Sequence, residues 1–210
     1  MVRLVREGLR LSASYWQIEP MGEMDDKAQA DALLMEKVLS GDNAAFQELV
    51  HRHYAVALRI AGRILFVQEE AEDAVQEAFL KVWRMPDRYD AGRGAFRPWL
   101  ARVVVNQCLD RRRLLRPVDS LEVLAEAADD GPTPEEAAQR SDRKARVTAA
   151  LDALPPRQRA ALALFYGEGM SMSEVAEVMS INVKAVESLL SRGRAGLRGS
   201  LEPLAREAAE

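Results

Sequence analysis

Residues 171–199 constrain this chain most, because cap, apolar face and turn follow one another there at helical spacing. Ser171 stands three residues before Glu174, the pattern of a capping box, and Val175, Ala176 and Met179 then give a small apolar face. Ser180-Ile181-Asn182 breaks the period, and Asn182 is suited to cap a second helix. In that helix Val186, Leu190, Gly193 and Leu197 recur at a period that turns them inward. Lys184, Ser188, Ser191, Arg192 and Arg194 fall on the other side, polar groups that fit base edges and phosphates. This is the spacing of a helix-turn-helix, whose second helix enters the major groove of DNA. A plain helical hairpin with a solvated charged face shares that spacing.

Helical periods run through the rest of the chain, and no convincing alternating strand interrupts them, so the expected fold is all-α. The pattern predicts helices near 29–39, from the Asp42 cap through Leu65, over 68–85, and from Ala95 to Leu115. Thr133-Pro134-Glu135-Glu136 is a strong start for a fifth, which ends at Leu154-Pro155-Pro156. A sixth, over 157–166, leads into the helix-turn-helix. The expected organisation is a poorly ordered extension (1–27), two small helical domains (28–116 and 134–202) joined by an acidic flexible linker (117–133), and a short tail (203–210). Met21 and Met24 are alternative starts to Met1.

A net charge of −4 sits poorly with DNA binding until it is divided along the chain. Residues 28–116 carry +2 and residues 141–202 carry +2, whereas 117–140 carry −6. The acidity is therefore concentrated in the connector, and both domains are mildly basic. Cys108 is the single cysteine, which excludes an internal disulfide and reads as a small core residue. No run approaches the roughly 18 apolar residues of a membrane span, and Arg6, Glu7 and Arg10 break up any signal-peptide core, so a cytoplasmic protein is expected.

Two further constellations carry chemistry. Between 72 and 84, Val75, Ala78, Phe79 and Val82 form the inward stripe, while Gln76, Leu80 and Trp83 form a second one, flanked by Asp73, Glu77 and Arg84. An exposed Leu and Trp rimmed by polar groups fit a protein interface; Trp83 packed under the following loop is the other reading. Next, Arg88-Tyr89-Asp90-Ala91-Gly92-Arg93-Gly94 forms a pliable loop before Phe96, Trp99, Arg102, Asn106, Arg112 and Arg113. Aromatics beside cations suit single-stranded nucleic acid, whose bases need stacking faces and whose phosphates need charge. A surface turn followed by arginines that complement a helix dipole is the bland alternative. His51 and His53 stand two apart on a helix with no further ligand at metal spacing, and no nucleophile or phosphate-binding loop occurs. Neither catalysis, a metal nor a cofactor is expected.

Taken together, Asp-Ala-Val-Gln-Glu-Ala-Phe-Leu-Lys-Val-Trp-Arg (73–84), Phe-Arg-Pro-Trp-Leu-Ala-Arg-Val-Val-Val-Asn-Gln-Cys-Leu-Asp-Arg-Arg-Arg (96–113) and Leu-Pro-Pro-Arg-Gln-Arg (154–159) resemble the bacterial sigma factors of the extracytoplasmic-function (ECF) group. The resemblance covers about 30–116 and 135–200. It implies a transcription-initiation factor that binds core RNA polymerase and directs it to the promoters of a stress regulon, with Asp73, Gln76, Glu77, Leu80, Trp83 and Arg84 docking on the β′ clamp helices and the β subunit also contacted. It implies that Arg88, Tyr89, Arg93, Phe96, Trp99, Arg102, Asn106, Arg112 and Arg113 melt and hold the minus-10 element of promoter DNA. Lys184, Ser188, Ser191, Arg192 and Arg194 would read the minus-35 duplex. The acidic connector would follow the polymerase channel later taken by nascent RNA, and an anti-sigma factor covering both domains would hold the free protein inactive. One departure stands out: after Val186 the family often has a basic residue, Ser, then Arg, and this chain has Glu187, Ser188 and Leu189. A stand-alone helix-turn-helix regulator explains 171–199 alone, and a sigma mimic that titrates an anti-sigma factor leaves the arginines at 111–113 and 192–194 without a task.

Overall fold

A computed structural model describes the backbone of residues 21–114 and 146–207 and the side chains of residues 28–113 and 146–200. Among the described residues every regular element is helical. Helix α1 (Met21–Leu39) begins well before residue 29, so part of the expected extension is helical. Asp42 then caps α2 (Asn43–Leu65), accepting from the N–H groups of Ala44 (2.8 Å) and Ala45 (3.1 Å). α2 ends in Phe66, whose φ of +62° is left-handed and whose N–H closes on the Gly62 carbonyl. α3 (Gln68–Arg84) places Glu69 and Glu70 in its first turn and Lys81 and Arg84 in its last, matching the helix dipole at both ends. Two short 3-10 turns, Pro86–Arg88 and Ala91–Arg93, lead into α4 (Phe96–Leu114).

The second group opens with α5, described over residues 146–152. α6 (Pro156–Leu162) starts on its own proline and widens into a π turn over Ala163–Gly167. α7 (Met172–Met179) has the complete capping box, Ser171 and Glu174 bonding each other's backbone N–H. Ser180 turns left-handed (φ +54°), the Asn182 side chain accepts from Ala185 N–H, and α8 (Val183–Glu207) follows. α8 continues past residue 203, where a tail was expected. The linker and the helix start at Thr133 lie outside the described residues.

α2 packs against α3 and α4, with α1 lying across α2 and held there by a buried His53–Asp31 contact of 2.8 Å. Leu49, Ile60, Ile64, Val75, Val82, Phe96, Val104 and Cys108 fill that centre. Leu164, Val175, Val178, Val186 and Leu190 fill the other, where a Cβ on Gly193 would stand 2.9 Å from Leu162. Truncating any of these leucines to Ala is worth about 2–5 kcal/mol. The two centres are continuous: α4 lies along α7, and the C-terminal half of α2 meets α6 and the turn that follows it.

Candidate nucleic-acid and polymerase interfaces

On α3 the two stripes separate as their spacing requires. Val75, Ala78, Phe79 and Val82 are buried, while Asp73, Gln76, Glu77, Leu80 and Arg84 are exposed, Leu80 at 45%. Trp83 is only half exposed, because its ring packs 5.0 Å from that of Phe46 on α2. The acids do not stand alone. Arg111 reaches across from α4 to Glu70 (2.6 Å), Asp73 (3.3 Å) and Glu77 (3.1 Å). Burial alone would lower the Arg111 pKa, but the bonds to Glu70 and the charges of Glu77 and Asp73 outweigh it and raise it. Gln107 joins the lattice, accepting from Lys81 (2.8 Å) and donating to Glu77 (3.0 Å).

The loop before α4 is shaped by Asp90, whose carboxylate accepts from Gly92 N–H (2.9 Å), and by Gly94, whose φ of +149° few other residues adopt. Tyr89 is 8% exposed; its hydroxyl donates to the Gly94 carbonyl (3.2 Å), and its ring packs against Phe96 (5.6 Å) and Trp99 (5.4 Å). Burial, with Asp31 and Asp90 nearby, pushes the Tyr89 hydroxyl pKa up. Phe96 is fully buried at 0%, against His53. Both rings were expected on the stacking face, and the structure corrects this: they form the floor beneath Trp99. A ring at the mouth of a helix removes more apolar surface from water as a plug than as a platform. Trp99 edges an open groove of about 350 Å³ lined with Lys81, Met85, Arg88, Val103 and Asn106. Arg88, Arg93, Asn106 and Arg113 are exposed.

Two other members of the face are engaged by the second group. Arg102 donates to the backbone carbonyl of Glu177 (3.1 Å) and to its carboxylate (3.4 Å) on α7. Arg112 pairs with Asp152 at 2.8 Å. Nothing in the sequence marked these pairings, because each joins residues far apart in the chain.

The junction contains two further groups that the sequence left unassigned. Glu168, its side chain 1% exposed, accepts from Arg59 through both carboxylate oxygens (3.0 and 2.8 Å) and from Arg63. A Cβ on Gly167 would stand 2.7 Å from the Arg63 guanidinium, so the approach is close. Arg159, 1% exposed, crosses in the opposite direction, donating to the Ile64 carbonyl (2.8 Å), to Asp152 Oδ1 (2.9 Å) and to the carbonyls of Asp152 and Leu154. Its guanidinium lies 5.0 Å over the Phe66 ring, and its Nε has no partner. Burial, reinforced by the charge of Arg112 and opposed by Asp152, brings its pKa down to about 10.

On α8, Val186, Leu190, Gly193 and Leu197 are buried. Lys184, Ser191, Arg192 and Arg194 are exposed and Ser188 half exposed. Arg192 donates to Ser188 Oγ (2.8 Å) and Arg194 to the Tyr166 hydroxyl (3.2 Å). Among the described residues no group of His, Cys, Asp and Glu is arranged to hold a metal, and no helix is long and apolar enough to cross a membrane.

A chain whose described elements are all helical, with an amphipathic, acid-rimmed helix in its first group and a helix-turn-helix in its second, matches known proteins along most of its length. Residues 49–116 match sigma-70 region 2, and residues 144–197 match sigma-70 region 4. The chain is 36% identical over 203 residues to the ECF RNA polymerase sigma factor SigE of Mycolicibacterium smegmatis, covering 92% of this chain and 74% of that protein. It is 35% identical over 191 residues to the RNA polymerase sigma-H factor of Pseudomonas aeruginosa, covering 86% of this chain and 98% of the relative. Among solved structures, CnrH in complex with the cytosolic domain of CnrY superposes with a TM-score of 0.62 at 31% identity, over 83% of this chain and 98% of that one. The chain belongs to the sigma-70 family and is an ECF-type sigma factor.

Proposed function

We propose that the chain binds core RNA polymerase through α3 and directs it to promoters that it reads with two separate surfaces. Asp73, Gln76, Glu77, Leu80, Trp83 and Arg84 form the docking face, and the exposed Leu80 beside acids held by Arg111 is the observation that carries this reading. A large exposed side chain on a helix whose core stripe is already filled calls for a partner. Arg88, Arg93, Trp99, Arg102, Asn106, Arg112 and Arg113 hold the melted minus-10 strand, with Trp99 as the stacking face and Tyr89 and Phe96 supporting it from below. Lys184, Ser188, Ser191, Arg192 and Arg194 read the minus-35 duplex from α8.

An anti-sigma factor is the expected inhibitor. CnrH, to which the chain is 31% identical, was solved in complex with the cytosolic domain of CnrY. The protein acts by binding rather than by catalysis, in the cytoplasm, on a regulon induced by stress. A stand-alone regulator accounts for 171–199 and leaves the match over 49–116 unexplained.

Run-off transcription with core polymerase on genomic fragments tests the reading. Discrete transcripts that need both core enzyme and this chain support it. Binding to a palindromic site without polymerase, and no transcripts with it, would sink it.

A further inference from the structure

We propose that Glu187 is a base-reading residue of α8 that selects a cytosine in the major groove; this rests on the reading of α8 as the duplex-binding helix. The helix starts at Val183, so Glu187 lies in its second turn, in the part of a recognition helix that reaches base edges. Val186 and Leu190, on either side of it in sequence, point into the core. Glu187 is exposed in the row Lys184, Glu187, Ser191, Arg194, in the middle of the face that α8 turns to solvent. Among the described residues its carboxylate has neither a hydrogen bond nor an ion pair. Its polar neighbours bond other groups in the free protein: Asn182 caps Ala185 N–H, Arg192 donates to Ser188, and Arg194 donates to Tyr166.

An unpaired carboxylate at the centre of such a face repels phosphates, and it favours binding where it meets a donor at a base edge. An ionised carboxylate only accepts hydrogen bonds. In the major groove the base-edge donors are the amino groups of cytosine and adenine. On adenine the amino group stands between N7 and the O4 of the paired thymine, acceptors that repel the second carboxylate oxygen, whereas on cytosine the amino group has the guanine O6 on one side only and C5–H on the other. Glu187 therefore favours cytosine. Lys184 and Ser191, one turn to either side, are placed to contact phosphate and the neighbouring base.

The test uses the full chain reconstituted with core polymerase on a pool of promoters randomised in the upstream duplex element. Bound and unbound sequences are compared for the unaltered protein, Glu187→Gln and Glu187→Ala. The unaltered protein is expected to prefer cytosine at one position by roughly tenfold or more. Glu187→Gln should move that position toward adenine, since an amide pairs with N6 and N7 together, and Glu187→Ala should erase the preference there and nowhere else. Tighter binding of every sequence alike by both variants would overturn the proposal, leaving Glu187 as a mere repulsive charge. So would an unaltered preference in both variants. Absence of any sequence preference in the unaltered holoenzyme would instead remove the reading of α8 itself, and the proposal with it.

Discussion

Glu168→Ala removes the carboxylate that joins α2 to the turn before the helix-turn-helix. The side chain is 1% exposed and receives Arg59 bidentately along with Arg63, whose own side chains are 30% and 20% exposed. Deleting one partner of a fully buried ion pair costs about 3–5 kcal/mol. Both guanidiniums keep an edge in water and recover part of their hydration, so the expected loss is lower, about 2–3 kcal/mol. At about 1.4 kcal/mol per tenfold, the ratio of closed to open domain arrangements falls roughly 30- to 150-fold. Distances between probes on Ser40→Cys and Ser173→Cys, both exposed positions, report that ratio directly. The otherwise unaltered protein should give one narrow distribution and the Glu168→Ala protein a broad one extending to longer distances. Raising the salt should affect the otherwise unaltered protein little, because buried pairs are weakly screened. An unchanged distribution together with an unchanged melting temperature would refute the argument that this contact holds the domains together.

Leu80→Asp should weaken binding to core polymerase by about 2 kcal/mol or more without lowering the melting temperature, since Leu80 lies outside the core; unchanged affinity in a competition assay counts against the docking face. Trp83→Ala should lower both, because its ring also packs on Phe46. Trp99→Ala should impair open-complex formation, read by permanganate footprinting, by about 1–3 kcal/mol per base unstacked, whereas Tyr89→Ala should first destabilise the fold; equal melting temperatures for the two variants would contradict the assignment of Tyr89 to the floor. Burial pushes the Cys108 thiol up to about 12, above its unfolded value, so the fold favours the neutral thiol. That contribution is complete at neutral pH and is lost as pH rises toward 12, and a thiol reagent at pH 8 should label Cys108 only as fast as the protein unfolds. Rapid labelling of the native protein would contradict this.

What the sequence revealed depended on how local the physics was. Asp42, Ser171 with Glu174, and Asn182 announced their helix starts because a cap is a contact between residues two or three apart. The two stripes of α3 and the inward face of α8 followed from the helical period alone. Tyr89 and Phe96 were misread because an aromatic beside arginines fits a stacking platform and a plug equally well, and only the packing of His53 and Trp99 around them decides. Glu168 and Arg159 could not be singled out. Each looks like an ordinary surface charge until a carbonyl or guanidinium more than ninety positions away is brought against it. The polar tether was not expected to fix the domains by its own packing, and the faces of α2, α4, α6 and α7 meet each other directly.

The contact between Arg102 and Glu177 alters how this protein should respond to ionic strength. Cations that meet nucleic acid usually do so with a gain in entropy, as small ions leave the phosphates and disperse into solution. Arg102 already carries a covalently tethered counterion in the Glu177 carboxylate. A phosphate that takes its place displaces a group that remains attached to the same molecule, at high local concentration, and competes to return. On the proposed reading, capture of a single strand by this arginine is thus an exchange between two anions rather than a plain neutralisation. It should contribute less to the salt dependence of binding than Arg88, which is exposed.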